Sequence, residues 1–223
     1  NLKLNPKKCL LFQKEVEFVG HTVSANGFTT TGTKINAIRD WPIRRDEHEI
    51  RSFLGMCTYY KRFVNEFTDI AALLHRLTDL KSQFDWTAEC ETAFKKLKNA
   101  PCSSAILSYP HSWGMFILDA SNIGIGAVLS QVQDKEEKVI EYFSSVLSKP
   151  EKNYCATRNE LLAIVRTVDH FHKYLYGRKF LIRTDHATLT WLLRMKNPKG
   201  QVVRWLERLQ QYHFKNRNRA GKL

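Results

Sequence analysis

No run in this chain is apolar for long enough to cross a bilayer, which takes ~20 predominantly apolar residues, and no secretory leader pattern is visible. Cysteine is scarce and scattered: Cys9, Cys57, Cys90, Cys102 and Cys155 are odd in number and include no Cys-x-x-Cys pair. That spacing speaks against a zinc site and a disulfide framework and predicts a reduced, intracellular protein. The eight histidines form no metal-ligand signature; His170 and His172, two apart on an expected helix, point in different directions. Internal repeats and low-complexity tracts are absent. Acid is in short supply: 22 Asp and Glu stand against 35 Lys and Arg, a net charge of +13. Residues 194–223 carry nine Lys/Arg and one acid, Glu207, so +8 of that charge lies in the last 30 residues. So dense a cluster suits a phosphate backbone or another anionic surface, unless it is only a solubilising face.

The 223 residues suffice for one large or two small domains, and 43% hydrophobic content supports a packed core. Asn1 sits inside a Leu2/Leu4 apolar pattern and the last residues read as mid-strand, so the chain is expected to be a piece of something longer. Residues 9–23 alternate loosely, and Glu15 to Val23 runs into the turn dipeptide Asn26-Gly27, which predicts a hairpin or sheet edge. Thr33 is expected to cap a short helix through Trp41, closed by Pro42. Asp46 is expected to cap the next, whose Ile50, Phe53, Leu54 and Cys57 follow helical spacing. More helix follows from Phe63 to Leu77, and Trp86, Cys90, Ala93, Phe94 and Leu97 form another helical stripe. Pro101, Pro110 and several serines mark a linker over 99–112.

Beyond it the periodicity changes. Strand-like runs at 114–119, 124–132 and 138–147, with Gln133 to Glu137 as a turn, precede a long helix over 153–176. Its Leu161, Ile164, Val165, Val168, Phe171 and Leu175 share one face, and Gly177 stops it. A strand at 179–185, helices at 187–195 and 201–212, and a strand from His213 complete an α/β layer fold with a mixed sheet.

Three carboxylates carry the chemistry of interest. Asp119 follows the apolar run Met115 to Leu118, Glu160 lies early in the long helix, and Asp185 ends the strand that begins at Lys179. Acids converging from two strand ends and a helix suit a pair of hard cations, because Mg²⁺ prefers oxygen ligands. Two such ions ~3.5–4 Å apart can clamp the attacking and leaving oxygens of a phosphodiester. Each acid also has an ordinary reading. Asp119 can cap the turn Ala120-Ser121-Asn122, Asp185 can cap the helix from Ala187, and Glu160 can be a dipole-favoured acid near a helix start.

In chain order, the motifs resemble the Pol polyprotein of gypsy-type LTR retrotransposons, from the end of the reverse transcriptase palm through the thumb into ribonuclease H. Leu2-Lys3-Leu4-Asn5-Pro6 with Lys8-Cys9 is similar to the palm end. Phe18-Val19-Gly20-His21 resembles the primer-grip hairpin, with Val19 where the family usually has Leu. Arg51-Ser52-Phe53-Leu54-Gly55, followed by Tyr59-Tyr60 and Arg62-Phe63, resembles the thumb. Phe84, Trp86, Cys90 and Ala93-Phe94 resemble the tether. Asp119-Ala120-Ser121 with Gly124-Ile125-Gly126, Glu160-Leu161-Leu162, Thr184-Asp185-His186 and Arg204-Trp205 resemble the ribonuclease H motifs.

The resemblance implies a palm and primer-grip end over 1–32, thumb helices over 33–80, a tether and linker over 81–112, and a truncated ribonuclease H-like domain over 113–223. It implies a helical thumb-like part followed by a mixed five-stranded sheet with helices, incomplete at its C-terminal end. Asp119, Glu160 and Asp185 would hold two Mg²⁺ or Mn²⁺ ions and hydrolyse the RNA strand of an RNA–DNA hybrid. Phe18, Gly20, His21, Tyr59, Tyr60, Lys61, Arg62 and Arg204 would touch the hybrid or a template–primer. The remainder of the Pol polyprotein would be a partner, and a membrane would not. A cytoplasmic, particle-associated setting or a nuclear one is implied.

Departures from the family pattern set competing expectations. The run Phe116-Ile117-Leu118 reaches Asp119 two residues early. That keeps strand parity but shifts the acid by about 7 Å along the strand. Lys215-Asn216 is expected to interrupt the final strand. The polymerase aspartates and the fourth ribonuclease H acid are expected outside this chain. A nucleic-acid-binding module without chemistry and a decayed element fragment therefore stand beside the nuclease reading.

Overall fold

The structure, a computed structural model, describes residues 5, 9, 11–42, 46–79, 84–101, 106–121, 125–184 and 200–218. The chain opens with three antiparallel strands, β1 (Glu15–Phe18), β2 (His21–Ser24) and β3 (Gly27–Thr30). The hairpin turn expected at Asn26-Gly27 falls one residue earlier, at Ala25-Asn26 between the paired Ser24 and Gly27, and there is a second at Val19-Gly20, with φ of 48° and 74°. A β-branched residue rarely adopts positive φ, so nothing local at Val19 announces that turn.

Four helices follow. α1 (Gly32–Arg39) starts from Thr31 rather than Thr33 and ends short of Trp41. α2 (Glu47–Tyr59) is capped as expected: the Asp46 carboxylate accepts from the Glu49 N–H at 2.8 Å. The helix expected over 63–77 is a short 3₁₀ turn, Lys61–Phe63, and then α3 (Phe67–Leu77), separated by Glu66 at φ 52°. Thr87 caps α4 (Ala88–Asn99). The stripes Ile50, Phe53, Leu54, Cys57 and Cys90, Ala93, Phe94, Leu97 meet in one core, where the Phe53 and Phe94 rings lie 4.3 Å apart. Burial pushes the Cys57 thiol up to about 12, which makes it a packing residue rather than a reactive one. Leu107, from the stretch expected as linker, is fully buried in this core and pairs its backbone with Phe28 at 2.8 and 3.0 Å.

The second half holds β4 (Phe116–Ser121), β5 (Ile125–Gln133), β6 (Glu136–Ser145), α5 (Ala156–His170), α6 (His172–Leu175), β7 (Lys179–Thr184), α7 (Gln201–Gln210) and β8 (His213–Asn218). The sheet runs β6-β5-β4-β7-β8, antiparallel among β4, β5 and β6 and parallel from β4 to β7 to β8. This is the mixed five-stranded sheet expected. The β5–β6 turn is tighter than predicted, just Asp134-Lys135 at φ 52° and 69°, which matches the twist of a two-residue hairpin. The long helix is two helices joined at Phe171, which is fully buried, so the apolar pattern continues across the break. β8 is not interrupted: Lys215 and Asn216 pair with Leu181 and Ile182 of β7. Lys215 faces solvent, whereas Asn216 shares the parity of the core-packed Phe214, and backbone pairing runs through both. The helix expected at 187–195 lies outside the described residues.

α5 and α7 pack on one sheet face through Leu161, Ile164, Val165, Trp205 and Leu206 against Phe116, Leu118, Ala127, Leu129 and Ile182. The other face of β6 meets the helical core through Val139 and Tyr142. Across that junction the Thr68 N–H and hydroxyl donate to the Ser144 hydroxyl at 3.2 and 2.8 Å, and the Ser108 N–H donates to the Val139 carbonyl at 2.8 Å. The buried Gln131 amide fixes the approach to β4: it accepts from the His111 N–H at 2.8 Å and donates to the carbonyls of His111, Trp113 and Gly114 at 3.1–3.2 Å. Among the described residues no helix is long and apolar enough to cross a membrane.

Candidate functional site

Asp119 lies inside β4, half-buried, with Val128 of β5 and Arg183 of β7 as its strand partners. Pairing continues through Ala120 and Ser121, so Asp119 is a strand residue and not a turn cap. Strand alternation sets it with Ile117, opposite in parity to Phe116, Leu118 and Ala120 of the α5-packed core. Its partner Arg183 lies two positions before Asp185 in the sequence. Asp185 itself lies outside the described residues.

Glu160 is 5% exposed, on α5 beside the buried run Leu161 to Val165. An acid placed only to complement a helix dipole stays in water, so this burial separates Glu160 from that ordinary reading. The helix start that carries it is anchored by Arg158. The guanidinium donates to Gln201 Oε1 at 2.6 Å and stands 4.2 Å above the Tyr154 ring, which ties α5 to the first turn of α7. Among the described residues no group of three or more His, Cys, Asp or Glu is placed to hold a metal. A cleft of about 570 Å³ lies elsewhere, between the β2–β3 and β5–β6 turns, lined by Asn26, Tyr109, His111, Asp134 and Lys138 among others.

The residues expected to touch nucleic acid gather at one place, with Arg204 as the exception. The His21 ring stacks on Tyr59 (5.3 Å, 7°) and meets Tyr60 edge-on (5.8 Å, 85°). The hydroxyls of Tyr59 and Tyr60 donate to the carbonyls of Val19 and Gly20, the latter at 3.3 Å, so α2 holds the strained hairpin turn. Phe18 is 68% exposed and Lys61 is exposed beside this cluster. Tyr60, 1% exposed, is a core residue, and Arg62, half-buried, reaches Glu141 at 3.7 Å. Arg204 lies apart, exposed on α7 next to Gln201, Trp205 and Arg208.

Sequence reasoning passed over Glu141. Its carboxylate is 5% exposed and faces His170, Lys173, Tyr174 and Arg62. Burial alone would raise it. The His170 hydrogen bond, the Arg62 and Lys173 charges and the Tyr174 hydroxyl outweigh burial and hold it down at about 2. Its only sequence signal is an acid between Ile140 and Tyr142-Phe143, which a strand with one wet face explains equally well.

Residues 115–212 match the family described as the RNase H-like domain found in reverse transcriptase. The chain is 37% identical over 216 residues to the retrovirus-related Pol polyprotein from transposon 412 of Drosophila melanogaster, covering 96% of this chain and 18% of that protein. It is 33% identical over 240 residues to the Pol polyprotein from transposon gypsy of the same organism, covering 100% of this chain and 22% of that protein. It therefore spans about a fifth of the length of these curated relatives. Among solved structures, a foamy viral protease-reverse transcriptase in complex with an RNA/DNA hybrid superposes with a TM-score of 0.78 at 18% identity, over 97% of this chain and 31% of that one. At that identity the likeness is one of fold.

Proposed function

Because the chain belongs to the retrotransposon Pol polyprotein family, with a reverse transcriptase-type RNase H-like domain over residues 115–212, we propose that it supplies the nuclease site and part of the nucleic-acid track of a larger RNA-copying protein. The reaction is hydrolysis of the RNA strand of an RNA–DNA hybrid. Asp119, Glu160 and Asp185 would hold two divalent ions, Mg²⁺ or Mn²⁺, since a set made only of carboxylate oxygens is the hard donor set such cations take. When bound, the ions supply positive charge at the attacking and leaving oxygens of the phosphodiester. Phe18 and Tyr59, the latter backed by the stacked His21 ring, offer exposed ring surface, and Lys61 offers charge, to the backbone of a hybrid, which is read by shape rather than by base.

One observation carries this reading: Glu160 is an acid buried beside an otherwise apolar run of α5, on the helix that packs against the strand bearing Asp119. Titrating Mg²⁺ or Mn²⁺ into the chain is expected to raise its unfolding temperature to a plateau, and Glu160→Gln to abolish the rise. A wild-type chain indifferent to both ions overturns the metal assignment. The register of Asp119 against Arg183 favours a second reading, a hybrid-binding module without chemistry. In that case the metal response is absent while hybrid binding persists and falls at least tenfold between about 50 and about 200 mM salt, as several phosphate contacts require.

A further inference from the structure

Glu141 is a buried acid that neither the carboxylate set nor the aromatic strip uses. Three of its partners come from its own half. His170 Nε2 lies 3.1 Å from one carboxylate oxygen, the Tyr174 hydroxyl donates to the other at 3.1 Å, and Lys173 Nζ stands 3.5 Å away. The fourth, Arg62, reaches across from the helical half, with Nη2 at 3.7 Å. Arg62 is otherwise flanked by aromatic rings, with its side chain 35% exposed. Its guanidinium stands 5.7 and 5.9 Å from the Phe63 and Phe28 rings, and its Nε is buried without a hydrogen-bond partner.

We infer that Glu141 is an electrostatic latch whose pairing with Arg62 fixes the helical half on the sheet half, and with it the spacing between the aromatic strip and the acids Asp119 and Glu160. The use of that spacing rests on the nuclease reading; the latch does not. The other ties at the junction, Thr68 to Ser144, Ser108 to Val139 and the Val139 and Tyr142 contacts, are neutral. Neutral hydrogen bonds exchange with water at small net cost, whereas a half-buried guanidinium that loses its counter-charge beside aromatic rings is better solvated by turning further out of the junction. In Glu141→Gln the carboxamide keeps its size and can still bond His170 and Tyr174, so the sheet half keeps its fold. Arg62 then faces Lys173 with no acid between them, and the Lys61–Phe63 turn is pushed off β6.

Double electron–electron resonance between spin labels at Lys95→Cys on α4 and Lys152→Cys before α5 reads the result, in a chain carrying Cys9→Ser, Cys102→Ser and Cys155→Ser. The parent should give one narrow distance. Glu141→Gln and Arg62→Gln should each at least double its width, and the double variant should add nothing to either. Arg166→Gln, which breaks the Arg166–Glu151 pair within the sheet half, should leave the width unchanged. Parent-like widths in both single variants overturn the latch, and so does a double variant whose widening equals the sum of the two. If Glu141→Gln does not fold, Arg62→Gln decides alone. Neither metal nor nucleic acid enters the measurement, so failure of the nuclease reading produces none of these outcomes.

Discussion

Among the described residues, the helical half buries one polar side chain, Thr31, while the sheet half buries Ser130, Gln131, Gln133, Glu141, Glu160, Thr167 and Thr184. The helical core needs only apolar volume at the right spacing, and many sequences satisfy that. The sheet half adds groups that are costly to bury unless each meets a partner of the right kind. Gln131 and Glu141 meet theirs within the fold and so act as anchors. Glu160 is buried next to a run of apolar neighbours on α5, the helix that packs beside the strand of Asp119. Polar burial is thus concentrated in the sheet half.

The comparison breaks most visibly if the helical core does not depend on volume. Phe53→Ala, at a fully buried site against Phe94, should cost about 3–5 kcal/mol in urea denaturation. A loss below about 1 kcal/mol would show that the core collapses around the gap. Next in size is Glu141. Its folded value near 2 lies below its ordinary 4.5, so its contribution is complete above about 4.5 and disappears as pH falls through about 2. The stability gap between wild type and Glu141→Gln should be roughly 3 kcal/mol near neutrality and close on acidification. A gap that stays constant on acidification would mean that the surrounding cations do not hold the carboxylate charged. Gln131→Leu strands the His111 N–H and three carbonyls, and should cost about 1–3 kcal/mol while speeding amide exchange at His111. Unchanged exchange there would reduce Gln131 to a packing residue. Smallest is Asp46→Ala, a lost helix cap worth about 1 kcal/mol, with Asp46→Asn nearly neutral.

Local signals were enough for the cap at Asp46, the stripes of α2, α4 and α5, a hairpin turn next to Gly27 and the succession of strands and helices in the sheet half. Each depends on residues a few positions apart, so it survives without knowledge of the fold. The family pattern likewise marked Asp119, Glu160 and Asp185 as the acids to follow. Only the tertiary structure decided that Val19 turns at positive φ, because the Tyr59 and Tyr60 hydroxyls from a distant helix hold that turn. Only it set Asp119 opposite Arg183, because register comes from the packing of Leu118 and Ala120 over α5. And only it brought Arg62 to Glu141, because the choice of partner for a charge is made by what is buried beside it, which no spacing along the chain records.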